Sequence, residues 1–486
     1  MRFVLTAAVA FCLLVHTPTA IAQAIAPEAL RADLEIVWSA AEQGDPAFDR
    51  YRSRAELRRV FDEARARINR PMTELEFYRI AAPAVAALGN GHARLSLRAE
   101  TQTWLDESAR LLPLGTRVLA GDLYVIRDLS REQSVPVGAR ILSINGRSAD
   151  DIIRGSVEAM SLDGTSMAPR MNNAGGWTLI RDLARIQGFD GDYDIRYRHR
   201  GRVRTVHLEG RPGVDISAEW RRTHPTDTEI AAGAPAALTW DGDVAIIRIP
   251  HWDRPREGQP GLSEHYAEWF AELARRPTRA LVIDIRNNSG GAEPLATELL
   301  SYLVEAPFRY YACLNMNAAD FDFFRNVAEA DEFRTEIPQY VRPASAECRE
   351  RGALELTEAA FPNLGVQAPR EPGFRGPVFL LINSGSFSTS SEFASAFKAL
   401  NAGTLIGQET SGGYLGDSSG IEADVRLPAS GMTFNATLIA YHMATPRRRG
   451  VQGGVLPDIP IRYRVADILA GRDLEMERAL ELARGN

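Results

Sequence analysis

Two stretches of this chain join a short, strongly apolar run to a turn of small polar residues and then to a helical pattern. Leu281-Val282-Ile283-Asp284-Ile285 leads into Arg286-Asn287-Asn288-Ser289-Gly290-Gly291, and Val378-Phe379-Leu380-Leu381-Ile382 leads into Asn383-Ser384-Gly385-Ser386-Phe387-Ser388-Thr389. Such runs suit strands buried on both faces, which need helices on either side. Helical spacing follows at 261–274, 292–304 and 389–400, where Phe393, Ala396, Phe397 and Leu400 share one stripe. A further strand is expected over 243–250. Residues 237–466 therefore read as α/β. An irregular acidic stretch, 313–372, reads as an insertion, and 467–486 as a closing helix.

Upstream, the pattern changes twice. Residues 27–100 read as helical, with Leu30, Leu34, Val37 and Ala40 near one face and a second helix beginning at Ser53. A third helix is opened by a Thr73/Glu76 capping box and stopped by Gly89-Asn90-Gly91. Residues 112–210 read as β-rich, with a hairpin turning at His199-Arg200-Gly201. Within that region, Val137-Gly138-Ala139-Arg140-Ile141-Leu142-Ser143-Ile144-Asn145-Gly146 resembles the central motif of PDZ domains, which bind extended peptides by strand addition. The plainer reading is a β-subdomain packed between its neighbours.

Across 486 residues, 56 Lys+Arg stand against 63 Asp+Glu, a net charge of −7. That balance argues against a nucleic-acid partner, because phosphate neutralisation needs a basic surface. No Lys/Arg run is longer than Arg447-Arg448-Arg449, and the only lysine is Lys398. Residues 1–22 read as a secretory signal peptide: Arg2, an uncharged apolar run over 3–15, and Ala20-Ile21-Ala22 as the cleavage site. The expected location is periplasmic or secreted, with no membrane span after cleavage. Cys313 and Cys348 remain, and an oxidising compartment permits a disulfide between them, two free thiols being the alternative. Neither has metal-ligand spacing, so no metal and no cofactor are expected.

The chemistry is expected where the two apolar strands end. Ligands of α/β folds bind at the carboxyl ends of strands, and helix N-termini offer unpaired N–H groups. Ser388 stands at the mouth of its helix as a candidate nucleophile. The amide of Thr389, with that of Gly290 or Gly291, is a candidate oxyanion hole. Taken alone, Thr389-Ser390-Ser391-Glu392 is also a capping box, and 288–291 also a tight turn.

These residues carry a resemblance. Residues 281–291 are similar to the DLRxNxGG segment of the C-terminal processing (tail-specific) serine peptidases, and 387–393 to their nucleophile segment. Residues 404–410 resemble the strand that follows, and Gly454-Val455-Leu456-Pro457-Asp458 the closing motif. The resemblance implies a ClpP/crotonase-like core with an N-terminal helical region and a PDZ-like β-subdomain. It also implies hydrolysis of peptide or protein substrates through an acyl-enzyme. The best-known branch uses a lysine base, but its position is Gly413 here, and Lys398 lies about 15 Å along the helix from Ser388. His92, in Gly89-Asn90-Gly91-His92, resembles the glycine–histidine motif of the tricorn-core-like branch and is the favoured base, with His251 and His442 behind it. That branch's glutamate and extra serine are Val451 and Gly91 here. Glu409 and Glu422 are candidate orienting acids that spacing does not separate. A catalytically inactive peptide- or ligand-binding member, or an esterase using the same serine, stand as the alternatives.

Overall fold

The computed structural model describes residues 23–223, 235–253, 261–349, 352–446 and 451–485. The expected signal peptide and the run of three arginines lie outside them. Among the described residues, no helix is long and apolar enough to cross a membrane.

Three helices come first: α1 (Pro27–Gly44), α2 (Arg54–Arg67) and α3 (Glu74–Ala86). The Thr73/Glu76 capping box forms, the Glu76 amide donating to Thr73 Oγ1 (3.3 Å) and the Thr73 amide to Glu76 (2.9 Å). Next come β1 (Leu95–Ser96) and α4 (Ala99–Glu107). The β-rich region holds β2 (Leu114–Leu119), β3 (Asp122–Asp128), β4 (Arg140–Ile144), β5 (Arg147–Ser148), β6 (Tyr193–His199) and β7 (Arg202–Leu208). These form one antiparallel sheet in the order β2-β3-β4-β6-β7, with β5 on β4. The hairpin turns on Arg200-Gly201, both at positive φ (47° and 77°), as a two-residue turn between twisted strands requires. The sequence reading missed three helices here: α5 (Ala149–Glu158), α6 (Met167–Asn173) and α7 (Gly176–Arg185). Their apolar residues complete a core of the region's own, with Ile152, Leu179 and Leu183 against Val125, Ile141 and Tyr193. Helix α8 (Gly213–Thr223) follows.

The central sheet is built from β8 (Ala237–Asp241), β9 (Val244–Arg248), β10 (Ala280–Asp284), β16 (Val378–Ile382), β17 (Thr404–Gly407) and β20 (Ile459–Pro460). Its order is β20-β17-β16-β10-β9-β8, parallel except for the β8–β9 hairpin. Every residue of β10 and β16 is buried, because helices cover both faces. These helices are α9 (Leu262–Arg275) and α10 (Glu293–Ser301), then α12 (Thr389–Ala399) and α14 (Leu474–Ala483), while the short α13 (Val465–Leu469) lies against β3.

The stretch 313–372 is not the irregular insertion expected. Between β11 (Phe308–Arg309) and β15 (Val366–Gln367) it contributes β12 (Tyr311–Met316), helix α11 (Ala330–Tyr340), β13 (Val341–Pro343) and β14 (Leu354–Leu356). β12 is central to a second sheet, β1-β19-β12-β14-β13, in which β18 (Ser418–Arg426) also pairs with β19 (Thr433–Met443). β13 and β14 are only three residues long, and β12 buries the polar Asn315 among its apolar residues, so no plain strand pattern marks them in an acidic stretch. Cys313 and Cys348 form a disulfide there, with Cα atoms 6.0 Å apart. The N-terminal helical region is likewise not free-standing: β1 belongs to this second sheet, and Leu30, Leu34 and Phe61 share one core with Phe434 and Leu438.

Candidate active site

Ser388 occupies the turn between β16 and α12 with φ 53° and ψ −128°, a conformation that non-glycine residues rarely adopt and that costs on the order of 1–3 kcal/mol. The surroundings hold it there. Ser386 Oγ donates to the Ile285 carbonyl (2.9 Å), the Phe387 amide to the Asn288 carbonyl (3.1 Å), and the Ser391 amide to the Ser388 carbonyl (2.7 Å). The Ser388 side chain makes no capping bond. Nor does the capping box form: Thr389 Oγ1 donates to the Gly291 carbonyl (2.8 Å), and Glu392 is buried against the Tyr311 hydroxyl (2.8 Å). The helix is anchored instead by Phe393 and Phe397, both fully buried and each contributing about 1.5–3 kcal/mol.

The glycine loop after β10 lies directly against the serine. A Cβ at Gly290 would stand 2.8 Å from Ser388 Cβ, and its φ of 116° also demands glycine. The Gly290 amide donates to Asn288 Oδ1 (2.9 Å), so it is already engaged. The bridge to Trp252 uses the Gly290 carbonyl and the Ala292 amide, which leaves the Gly291 amide outside the pairing.

His92 arrives on the loop after α3. Asn90 Oδ1 accepts from the amides of His92 (2.9 Å) and Ala93 (3.1 Å), while Asn90 Nδ2 donates to Asp45 (2.9 Å) and Thr437 (2.9 Å). The imidazole stacks on Phe387, the residue before the serine, with ring centroids 4.9 Å apart. Its Nδ1 lies 2.9 Å from Glu422 Oε1, so a carboxylate that can only accept assigns the proton to Nδ1. Its Nε2 is buried and makes no hydrogen bond among the described residues.

Burial disfavours charging His92, but the Glu422 hydrogen bond and the nearby charges of Asp417 and Asp163 outweigh it and raise the pKa. For Glu422 burial works upward, and the His92 contact prevails and lowers it.

Asp163 was not legible in the sequence. It is buried, and its carboxylate accepts from the amides of Gly91 (2.7 Å) and Gly413 (2.9 Å), tying the histidine loop to the loop behind the serine. Burial, then the charge of Asp417, pushes its pKa up to about 6. An Asp-Gly pair at 163–164 reads only as a turn, so no local pattern marks it.

The other candidates lie elsewhere. Glu409 accepts from Ser166 Oγ (2.7 Å) and the Gly454 amide (3.1 Å), away from the histidine. Lys398 Nζ is bound to the Leu456 carbonyl (2.7 Å) and Asp458 (2.7 Å). His442 Nε2 lies 2.8 Å from Asn315 Oδ1 in the second sheet, and His251 has no side-chain hydrogen bond to Ser388, His92 or Glu422 among the described residues. Among the described residues, no three His, Cys, Asp or Glu side chains converge as a metal would need.

Comparison with known proteins adds the following. Residues 243–461 match the family Peptidase family S41. The crystal structure of mature CPAF superposes with a TM-score of 0.63 at 17% identity, covering 95% of this chain and 98% of that one. Mature CPAF complexed with lactacystin gives 0.63 at 17% identity, with 95% and 99% covered. At such identities the likeness is one of fold. No curated protein matches the sequence.

Proposed function

We propose that the chain, whose residues 243–461 match Peptidase family S41, is a serine-type hydrolase of peptide bonds that works through an acyl-enzyme on Ser388 with His92 as general base. The observation that carries this reading is the His92–Glu422 pair. Its Nδ1 side is satisfied at 2.9 Å, its Nε2 is unpartnered, and its ring lies on Phe387 beside the nucleophile.

In this reading Ser388 Oγ adds to the substrate carbonyl carbon while its proton passes to His92 Nε2. Glu422 holds the ring and stabilises the imidazolium that forms. The Gly291 and Thr389 amides receive the developing oxyanion, Gly290 being needed for space rather than as a donor. Collapse breaks the C–N bond as His92 returns the proton to the leaving amine. Water, deprotonated by the same ring, then hydrolyses the ester and frees Ser388.

The wider reading is of a histidine-using, tricorn-like member with a ClpP/crotonase-type core and a PDZ-like unit over 112–210. It is exported by a signal peptide cleaved after Ala22 and acts on peptides or proteins in the periplasm or outside the cell. The Cys313–Cys348 disulfide favours an oxidising compartment. The inactive-member alternative drew on a missing lysine and an unmatched acid, and Glu422 supplies the acid.

The test is labelling by a fluorophosphonate probe together with turnover of peptide and ester panels. Wild type is expected to label and to cleave peptides, and Ser388→Ala to do neither. Equal labelling of the two proteins would overturn the assignment, and turnover of esters alone would make the protein an esterase.

A further inference from the structure

A cavity of about 640 Å³ lies between the carboxyl ends of the central strands and the 112–210 unit, walled on a third side by the segment around α13. Five guanidinium groups line it (Arg117, Arg127, Arg248, Arg286 and Arg472) against the carboxylates of Asp473 and Glu475. In a chain of net charge −7 this is a local reversal of sign.

The five are not equivalent. Arg286 is bound by Asp284 (2.8 Å) and Asp473 (2.6 Å), Arg472 pairs with Asp467 (3.3 Å) and with Glu477, and Arg248 lies 3.8 Å from Asp284. Arg127 packs over Trp220 at 4.7 Å. Arg117, on β2, has neither a hydrogen bond nor a carboxylate within ion-pair distance among the described residues. Its guanidinium rests on the ring of Tyr463, 5.3 Å from the centroid. Glu475 acts on it only from beyond ion-pair distance. A half-buried cation without a contacting carboxylate is poorly solvated, and a carboxylate arriving beside it gains a charge-assisted bond at little reorganisation.

The cavity also adjoins the reaction centre. Both strand–loop–helix connections begin in it and end at the nucleophile. Asn287 lines it and Gly290 abuts Ser388; Gly385 lines it and Ser388 follows three residues later, a span of at most about 11 Å. Asn173, which lines the cavity, donates to the Ser384 carbonyl (2.8 Å) and to Ser411 (3.0 Å), fixing the wall between the two.

We propose that this cavity binds carboxylate groups of acidic peptides, with Arg117 as their principal contact. A peptide bound there lies beside the Gly385 loop that leads to Ser388. That such a peptide is a substrate rests on the peptidase reading; binding does not require cleavage.

The experiment uses the full chain carrying Ser388→Ala and a labelled ten-residue peptide rich in Glu, compared with its Gln counterpart by fluorescence anisotropy at low salt. The acidic peptide is expected to bind about ten- to a hundredfold more tightly. Arg117→Gln should remove that difference and Arg117→Lys retain part of it, with thermal melting unchanged in both. C-terminal amidation separates the sources of the carboxylate. Discrimination that survives amidation assigns it to side chains, and loss on amidation assigns it to the chain end. Equal affinity for the two peptides, discrimination that persists in Arg117→Gln, or inorganic phosphate binding in preference to the acidic peptide would each overturn the proposal. Turnover by the wild-type chain is read separately, so discrimination without cleavage would sink the Ser388 reading and leave this site standing.

Discussion

His92 and Glu422 are 330 residues apart in the chain and meet at 2.9 Å because both are aligned on β19. Leu95 of β1 and Val425 of β18 pair with opposite edges of Phe434. Three residues back from Val425 stands Glu422, paired with Thr437, and three residues back from Leu95, on the loop that leads into β1, stands His92. The pairing of β1 and β18 with β19 therefore brings this imidazole and this carboxylate together.

Replacing Glu422 with Gln should lower kcat about 10²–10⁴-fold with KM little changed, because the ring loses the partner that fixes its tautomer. The pH profile separates this from a general loss of structure. In wild type the base must be neutral, so kcat/KM should rise with pH through a midpoint above the ordinary histidine value of about 6.5, given the raised His92 pKa. Glu422→Gln removes the leading contribution that raises this pKa, and the midpoint should move to lower pH. A midpoint that stays put would argue against the pair.

Stability should run the other way. A histidine whose folded pKa is raised contributes stability that is fully present below about pH 6.5 and is lost as pH rises through the folded value. Asp163, raised to about 6, adds in the same direction, since the folded state keeps its proton between about pH 4 and 6 while the unfolded chain releases it. Urea unfolding across that range should give stability falling with pH, and Asp163→Asn should flatten the slope. The variant should also lose roughly 1–3 kcal/mol, because an amide cannot accept from both Gly91 and Gly413.

Lys398→Met should leave kcat/KM within about threefold of wild type. The ammonium serves the closing loop through Asp458, whose side chain is 41% exposed, so its removal costs no more than about 1 kcal/mol. A loss of several orders of magnitude at neutral pH, with an unchanged melting profile, would instead mark the lysine as the base.

Gly290→Ala should abolish labelling at Ser388. The added methyl would stand 2.8 Å from Ser388 Cβ, and φ of 116° would strain any side chain. The variant should still melt cooperatively, with a loss of about 1–3 kcal/mol.

Cys313→Ser with Cys348→Ser should destabilise the protein by roughly 3–4 kcal/mol, as expected for a cross-link closing a 35-residue separation. The disulfide lies in the second sheet, near the strand that pairs with β19, so the loss should be felt at His92 before it is felt at Ser388. Hydrogen exchange at the Asn90–Ala93 amides, compared with those of α12, would read that order.

Local chemistry alone decided much of this protein. The apolar runs of β10 and β16, the turns that follow them, the Thr73/Glu76 cap and the glycines at 290–291 all act within one element and its neighbours, where periodicity and backbone preference are sufficient. For the same reason Ser388 was legible as a residue at a helix mouth. Tertiary structure decided what depends on alignment between distant strands: Glu422 rather than Glu409 beside His92, and Asp163 between Gly91 and Gly413. It also placed β12 inside a sheet and left Arg117 with no carboxylate in ion-pair contact among the described residues. Carboxylates and arginines look alike along a chain, and only packing determines which of them loses its water and which charge it then faces.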